Sequence, residues 1–437
     1  MKQLILLLLI IFCLLGVSLP ITQANNLPAP SVTEADPMTI DVGPTWDSAP
    51  PGILLSTNAP LGAEIPIIRS SPDGSLLMTV YNRWMTGQND RDPYYVISTN
   101  NGQSWSNPAP IYTSTSTNSG ETYITFDVNN IVHAVWSEPT GILYSRYSSG
   151  SWSSPQTISP PTFNFNAWPH IFASGTNTLD IIWGAGNLPS QQPDIYHLRS
   201  LDGGQNWSGA NPVYSSIATS SRPNIGVDSS GYLHAVWQER TATPGNEIRY
   251  AQGLPSGATV FWSAPIIISS VGTVDANTPR INIVNDDLHV TYAETVAGTP
   301  AVQFIHYTVC GANCILNASW ASPQNISQQA VVVNQSDPYF LVSELVSGNN
   351  CLFVFFHGKQ SDQANETVWD INSCSGWNSG GRDQVTSPAD RAIYPSATIY
   401  SGFVHAAYQR VIGSDRQIYY MRGNLPQGVF LPFFRKP

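Results

Sequence analysis

Polar and aromatic side chains recur along this sequence at comparable points of a repeating pattern, but the side chain changes from one repeat to the next. Glu64, Glu121, Trp168, Arg222, Thr278, Asp337 and Tyr394 form one such series, with His170 and Arg280 just beyond it. Arg83, Asp90, Asp92, Glu138, Glu239, Arg240, Glu294, His357 and Arg410 form a second, at the ends of apolar runs. These residue types fit a limited range of chemistry. Two carboxyl groups across a pocket permit acid and base cleavage of a glycosidic bond, their separation setting the stereochemical outcome. A tyrosine beside a glutamate can instead act as nucleophile. Arginine grips a carboxylate through two parallel hydrogen bonds. On position, Tyr394 and Glu239 are the candidate nucleophile pair, and Arg222 and Arg280 the candidate grips for an acidic sugar. Glu64, Glu121, Trp168 and Asp337 are further candidate substrate contacts.

The elements that must position them are read from a repeat. Trp46, Trp105, Trp152, Trp207, Trp262, Trp320 and Trp377 are separated by 59, 47, 55, 55, 58 and 57 residues and open similar phrases, such as SWSSPQTIS (151–159) and SWASPQNIS (319–327). A period near 50 means stacked supersecondary units. Between the tryptophans recurs a run rich in β-branched and aromatic residues, as in LLMTVYNR (76–83), IVHAVWSE (131–138), LHAVWQE (233–239) and VHAAYQR (404–410), which reads as a strand. A shorter strand precedes most of these runs and opens at Pro66, Pro169, Pro223, Pro279, Pro338 or Pro395; another follows each. Four strands per unit, called A to D with the tryptophan opening D, make the blade of a propeller. The sequence therefore predicts an all-β, seven-bladed β-propeller with blades near 63–114, 118–159, 165–216, 220–269, 276–327, 336–387 and 391–423. The last unit lacks a D strand, while Trp46 heads an orphan one within 39–58, so the two ends are expected to pair and leave no open edge.

Alternating strand direction puts the start of A, the end of B and the start of C on one face, where loops of all blades converge. Residues that differ between blades at that face are candidates for recognition, and residues that recur are candidates for scaffold. His133, His234, His289 and His405 all lie three residues before the aromatic of strand B and read as packed strand histidines. Glu138, Glu239 and Glu294 share one repeat position and also suit a solvated rim.

Composition narrows the setting. Charged residues make up 11% of the 437, and the formal net charge is −11 with 18 Lys plus Arg, which argues against nucleic acid or an anionic membrane as partner. Residues 1–24 carry Lys2, an apolar stretch and a small-residue site before Asn25, and read as a signal peptide. Residues 25–38 are an expected flexible leader, and the 424–437 tail is too short to span a bilayer but could associate with a cell surface. Export makes the four remaining cysteines disulfide candidates: Cys351 with Cys374, symmetric about a predicted turn, and Cys310 with Cys314. No cluster has metal-ligand spacing and no cofactor is expected.

Ser200-Leu201-Asp202-Gly203-Gly204-Gln205-Asn206-Trp207 resembles the Asp-box, Ser-x-Asp-x-Gly-x-x-Trp, of the sialidase-like BNR propellers. STNNGQSW (98–105) is a second copy, in which Ser98, Asn100, Gly102 and Trp105 match Ser200, Asp202, Gly204 and Trp207. The motif is a hairpin turn in which Asp or Asn caps backbone donors, glycine supplies positive φ, and Ser and Trp pin the turn to the blade. IPIIRSSPDGSLLMTVYNR (65–83) is similar to the sialidase opening phrase Arg-Ile-Pro, whose arginine is one of three gripping the substrate carboxylate, and here Glu64 stands at that position. The resemblance implies a nucleophilic tyrosine at Tyr394, in Tyr394-Pro395-Ser396, and a general acid at Asp92 or Asp90 in the first blade. True sialidases have six blades. The expected function is a secreted propeller acting on or binding extracellular glycans, with Asp92 as proton donor. Two alternatives stand beside it: a lyase on uronic-acid polymers using Tyr394 with His170 or His357, and a non-catalytic propeller binding carbohydrate or protein.

Overall fold

The computed structural model describes residues 43–425, apart from 60, 86–89, 115–117, 241–244, 271–274, 297–298, 328–330, 333–342, 349–350, 361–362, 375 and 378–381. The expected leader segments 1–24 and 25–38 and most of the 424–437 tail lie outside the described residues, as do Asp337 and Pro338. Seven antiparallel sheets form the blades, and in six of them strand order follows the chain from A to D. Blade 4 shows the pattern: Thr219–Val227, Leu233–Arg240 and Asn246–Ser256 are A, B and C, with Thr259–Trp262 and Ile266–Ile267 together forming D. Among the described residues the only helical turn is the three-residue Asn317–Ser319, and no helix is long and apolar enough to cross a membrane.

The chain closes its own ring. Thr45–Trp46 and Ile53–Leu54 pair with Asp415–Asn424, Trp46 lying opposite Gly423 and Ile53 opposite Tyr420. The seventh blade thus takes its outer strand from the other end of the chain, which removes the open edge that would otherwise template pairing with another molecule. Tyr408 fixes this strand from within by donating its hydroxyl to the Pro51 carbonyl at 2.6 Å, and Arg422 bonds Asp47.

Neighbouring blades are joined by a repeated contact in which a strand-C tyrosine packs at a steep angle on the next blade's tryptophan. Tyr144 packs on Trp207, Tyr250 on Trp320, Tyr307 on Trp377, and Tyr420 of the last blade on Trp105 of the first, at 4.9–5.0 Å between ring centres. Each of these tyrosine hydroxyls is hydrogen-bonded to Nδ1 of the strand-B histidine beside it: His133, His234, His289 and His405, at 2.7–2.8 Å. These four histidines are therefore parts of the inter-blade joint. Blade 3 makes the joint differently, with Asp180 bonded to His197 at 2.8 Å and the imidazole meeting Trp262.

The two Asp-box-like turns receive this tyrosine. In one, Ser200 Oγ accepts from the Gly204 N–H at 2.9 Å, and Asp202 Oδ1 accepts from the Gln205 and Asn206 N–H groups. Gly204 has φ 85°, and a Cβ there would lie 2.0 Å from the Tyr144 hydroxyl. In the other, Ser98 and Asn100 cap the turn in the same way, and a Cβ on Gly102 would lie 1.8 Å from the Tyr420 hydroxyl. Glycine is needed there for close approach as well as for backbone sign. Disulfides join Cys351 to Cys374 across the strand B–C hairpin of blade 6 and Cys310 to Cys314 in a tight loop.

Burial holds His289, His306 and His405 down to about 4. They stay neutral in the fold while the unfolded chain takes up protons below its ordinary histidine value of 6.5, so stability must fall as pH drops through that window. The thermal unfolding midpoint is expected to be flat above about pH 7 and to fall steadily between about pH 6.5 and pH 4. An unchanged midpoint across that interval, followed by circular dichroism, would contradict buried neutral histidines.

Candidate functional site

Strand register identifies one layer of side chains around the axis. The residue opposite the one preceding the strand-B aromatic is Ile67, Tyr123, His170, Asn224, Arg280, Glu344 and Ser396 in blades 1 to 7. Five of these seven line an axial cavity of about 350 Å³, with Arg69 one alternation further along blade 1. A smaller hollow of about 40 Å³ shares Tyr123, Arg280 and Glu344 with it and adds Glu121, Arg222 and Tyr394.

A common backbone device shapes the mouth. In blades 1, 3, 4, 5 and 7 the A–B ladder slips just before the axial layer, and the residue ahead of the proline takes a left-handed conformation: Ile65, Trp168, Arg222, Thr278 and Tyr394, all with φ of 50–54°. Such a φ is costly for branched and bulky residues. The cost is partly offset by bonds from the preceding blade, since Gln238 accepts from the Thr278 N–H at 3.1 Å and Gln409 from that of Ile65 at 3.2 Å. A bulge of this kind re-aims the side chain that a regular strand would point elsewhere.

The bulges decide which expected contacts reach the site. Arg222 and Tyr394 line the mouth with Glu121, and Glu121 lies 4.0 Å from Arg222. Trp168 stands beside Arg222, whose guanidinium is 5.9 Å from the indole centre. In blade 1 the bulge residue is Ile65, one position later than expected. Glu64 is instead buried between Arg91 and Arg416 and does not line either hollow. Blade 6 shifts further, because its A strand is described from Ser343 and the register sets Ser343 where five other blades have proline. The axial position there falls to Glu344, and the expected opening at Pro338 lies outside the described residues.

Asp92 and Glu239 are not brought to the mouth. Asp92 is fully buried and accepts the Ser114 N–H at 3.0 Å, and burial, reinforced by Asp90, pushes its carboxyl up. Glu239 accepts from the Trp237 indole at 3.3 Å and from Ser220, and lies 3.6 Å from Arg249. Glu138 repeats the arrangement with Trp136 and Ser119. At this repeat position Glu138 and Glu239 each hold a tryptophan.

Three site residues escaped the sequence reading: Arg69, Tyr123 and Glu344. Arg69 pairs with Glu344 at 3.0 Å, and its guanidinium lies 5.7 Å from the Tyr123 ring. The Tyr123 and His170 rings are 4.3 Å apart. Burial raises the Tyr123 hydroxyl against the opposing pull of Arg280 and Arg69, so it rests protonated. Burial, with Arg280 and Arg69 adding to it, holds His170 well below 6.5, so it rests neutral. Counting the inward strand-A position back from each strand-B aromatic would have found Tyr123 and Glu344. Nothing in the local sequence marks Arg69, which follows the bulge by four residues. The structure thus sets three arginines, two tyrosines and two glutamates together, with a net charge of +1 from Arg69, Arg222 and Arg280 against Glu121 and Glu344. Among the described residues no group of His, Cys, Asp and Glu could hold a metal ion.

Arg69→Met would leave Glu344 buried without its partner and is expected to cost about 3 kcal/mol. The double variant Arg69→Met/Glu344→Gln should recover at least half of that in urea unfolding. Additive losses would show that the two side chains do not depend on one another.

No protein-family model matches the chain, and no curated protein is similar to it. Among solved structures, its fold is similar to that of a protein of unknown function from Dyadobacter fermentans, at 12% identity and a TM-score of 0.52 over 86% of this chain and 98% of the other. It is similar also to an ulvan lyase of polysaccharide lyase family PL25, solved bound to -[GlcA(1-4)Rha3S]-, at 9% identity and a TM-score of 0.54 over 87% and 94%. A sialidase from Streptococcus pneumoniae is more distant, at 9% identity and a TM-score of 0.48 over 86% of this chain and 70% of that one. At such identities the likeness speaks to the fold.

Proposed function

We propose that this propeller is an extracellular protein acting on an acidic glycan, which it cleaves at the mouth with Tyr123 as nucleophile. One observation carries the reading: Arg69, Arg222 and Arg280 converge from three blades on Tyr123 and Glu344. A net charge of +1 suits one carboxylate, and guanidinium forks suit its geometry. The two disulfides fit an oxidising compartment. The ulvan lyase sharing the fold is bound to a sugar containing glucuronate, which supports an acidic glycan as the kind of ligand this scaffold accommodates.

The chemistry follows from the neighbours of Tyr123. Its hydroxyl oxygen attacks the anomeric carbon while Glu344 takes the phenol proton, and the bond to the leaving oxygen breaks as Glu344 passes that proton on to it. Water then attacks the same carbon and gives a proton to Glu344. Tyr123 departs as the leaving group and recovers its proton from Glu344. Arg222 and Arg280 hold the sugar carboxylate throughout. His170 favours a second reading, because a neutral imidazole against a protonated tyrosine is a base and an acid side by side, the pair that β-elimination from a uronic acid needs.

The full-length protein should be incubated with sialosides, chromogenic uronides and uronic-acid polymers, following reducing ends and ultraviolet absorbance together. Reducing ends without a new absorbing product support hydrolysis, and an unsaturated absorbing end supports elimination. On the cleaved substrate, Tyr123→Phe is expected to lose at least about 100-fold in turnover, and Arg222→Met to weaken binding about tenfold. Calorimetric binding of an acidic sugar with no product would point to a non-catalytic lectin. A protein that neither binds an acidic sugar nor forms product would overturn the proposal.

A further inference from the structure

Three buried polar atoms that face the axial cavity have no partner among the described residues. We infer that Asn224, Arg280 and His170 form an oxyanion-binding site within the axial cavity. All three line it. Asn224 is 2% and His170 8% exposed. Among the described residues Asn224 Nδ2, Arg280 Nε and His170 Nδ1 have no hydrogen-bond partner, and a buried polar group left in that state is destabilising.

The chemistry of the missing partner follows from what each atom can do. Asn224 Oδ1 accepts the Ile281 N–H at 3.0 Å, which fixes the amide and leaves Nδ2 as its free end. Arg280 spends Nη1 on the Pro279 carbonyl at 3.1 Å, leaving Nε. An amide nitrogen and a guanidinium can only donate, and a neutral imidazole can be set to donate by its tautomer. The ligand must therefore be rich in acceptors. Charge selects further, because Arg69 and Arg280 outweigh Glu344 by one in the cavity lining while His170 stays neutral. A compact anion such as sulfate or a carboxylate supplies both the acceptors and the charge, whereas water supplies only acceptors. The anion can arrive free in solution or as the acid group of a bound sugar.

Inorganic sulfate and sodium glucuronate, each against chloride at equal ionic strength, separate these sources in calorimetric titration of the full-length protein. Asn224→Asp keeps the acceptor for the Ile281 N–H but turns the donor into a repelling carboxylate. The wild type should bind sulfate saturably at about one site, and Asn224→Asp should weaken it at least tenfold. Binding of glucuronate alone, weakened in the same way, assigns the site to the acid group of a sugar. If Asn224→Asp proves misfolded by circular dichroism, Arg280→Lys, which keeps the charge and loses Nε, should weaken binding threefold or more. No saturable binding of either anion, or equal binding by wild type and variant, would overturn the site and leave the cavity to water. Sulfate binding by a protein that cleaves no glycan would sink the proposed reaction and leave this site standing.

Discussion

The structure depends on a contact that no blade can make by itself. A four-stranded sheet has two faces, and in a ring each must be covered by its neighbours. Here the cover is fixed by a strand-C tyrosine that reaches the next blade's tryptophan while its hydroxyl is held from behind by a histidine. The hydrogen bond orients the ring, the ring buries the indole, and the glycine of the receiving turn leaves room for the hydroxyl. Blade identity is thereby coupled around the circle, and Tyr420 on Trp105 joins the last blade to the first. The N-terminal strand completes the same junction from outside, so closure rests on both a hydrogen-bonded edge and an aromatic joint.

This coupling explains what the sequence discloses readily. Joints must repeat, so their residues recur at a fixed place: seven tryptophans, four histidines three residues before an aromatic, and glycines in the Asp-box-like turns. Blade count, strand order and closure by the strand of Trp46 all follow from that repetition. The hairpin placing Cys351 opposite Cys374 follows from simple antiparallel register.

The site was less legible because it is built where the repeat breaks. Side chains alternate across a strand, so a slip of one residue changes which way each points. Glu64 stands beside a bulge at Ile65, and that single step takes it away from the axis and between Arg91 and Arg416. Proline marks the bulge in five blades, whereas blade 6 has Ser343 at that register position, so no proline announces the axial Glu344. Arg222 and Tyr394 were found because proline follows them directly. Arg69 lies past the bulge, where no turn or proline announces it.

Three glutamates make the distinction in physical terms. Glu138 and Glu239 sit at the end of strand B, each two residues beyond a buried tryptophan whose indole donates to it. A carboxylate engaged in that way is committed to the scaffold, whatever pocket its position suggests. Glu344 has the same side chain on strand A, where its partner is Arg69 and its neighbour is Tyr123. Its charge is balanced by another member of the site, so removing either changes the field at the tyrosine and leaves the inter-blade joints untouched. The repeat conserves geometry at the joints so that the axial layer is free to vary. Isoleucine, tyrosine, histidine, asparagine, arginine, glutamate and serine succeed one another there at one structural position. A layer filled for packing alone would favour apolar residues of matched volume. Together with Arg69 beside it, this layer gathers donors, a buried neutral imidazole and a net charge of +1, a composition whose burial is costly unless an anionic partner offsets it.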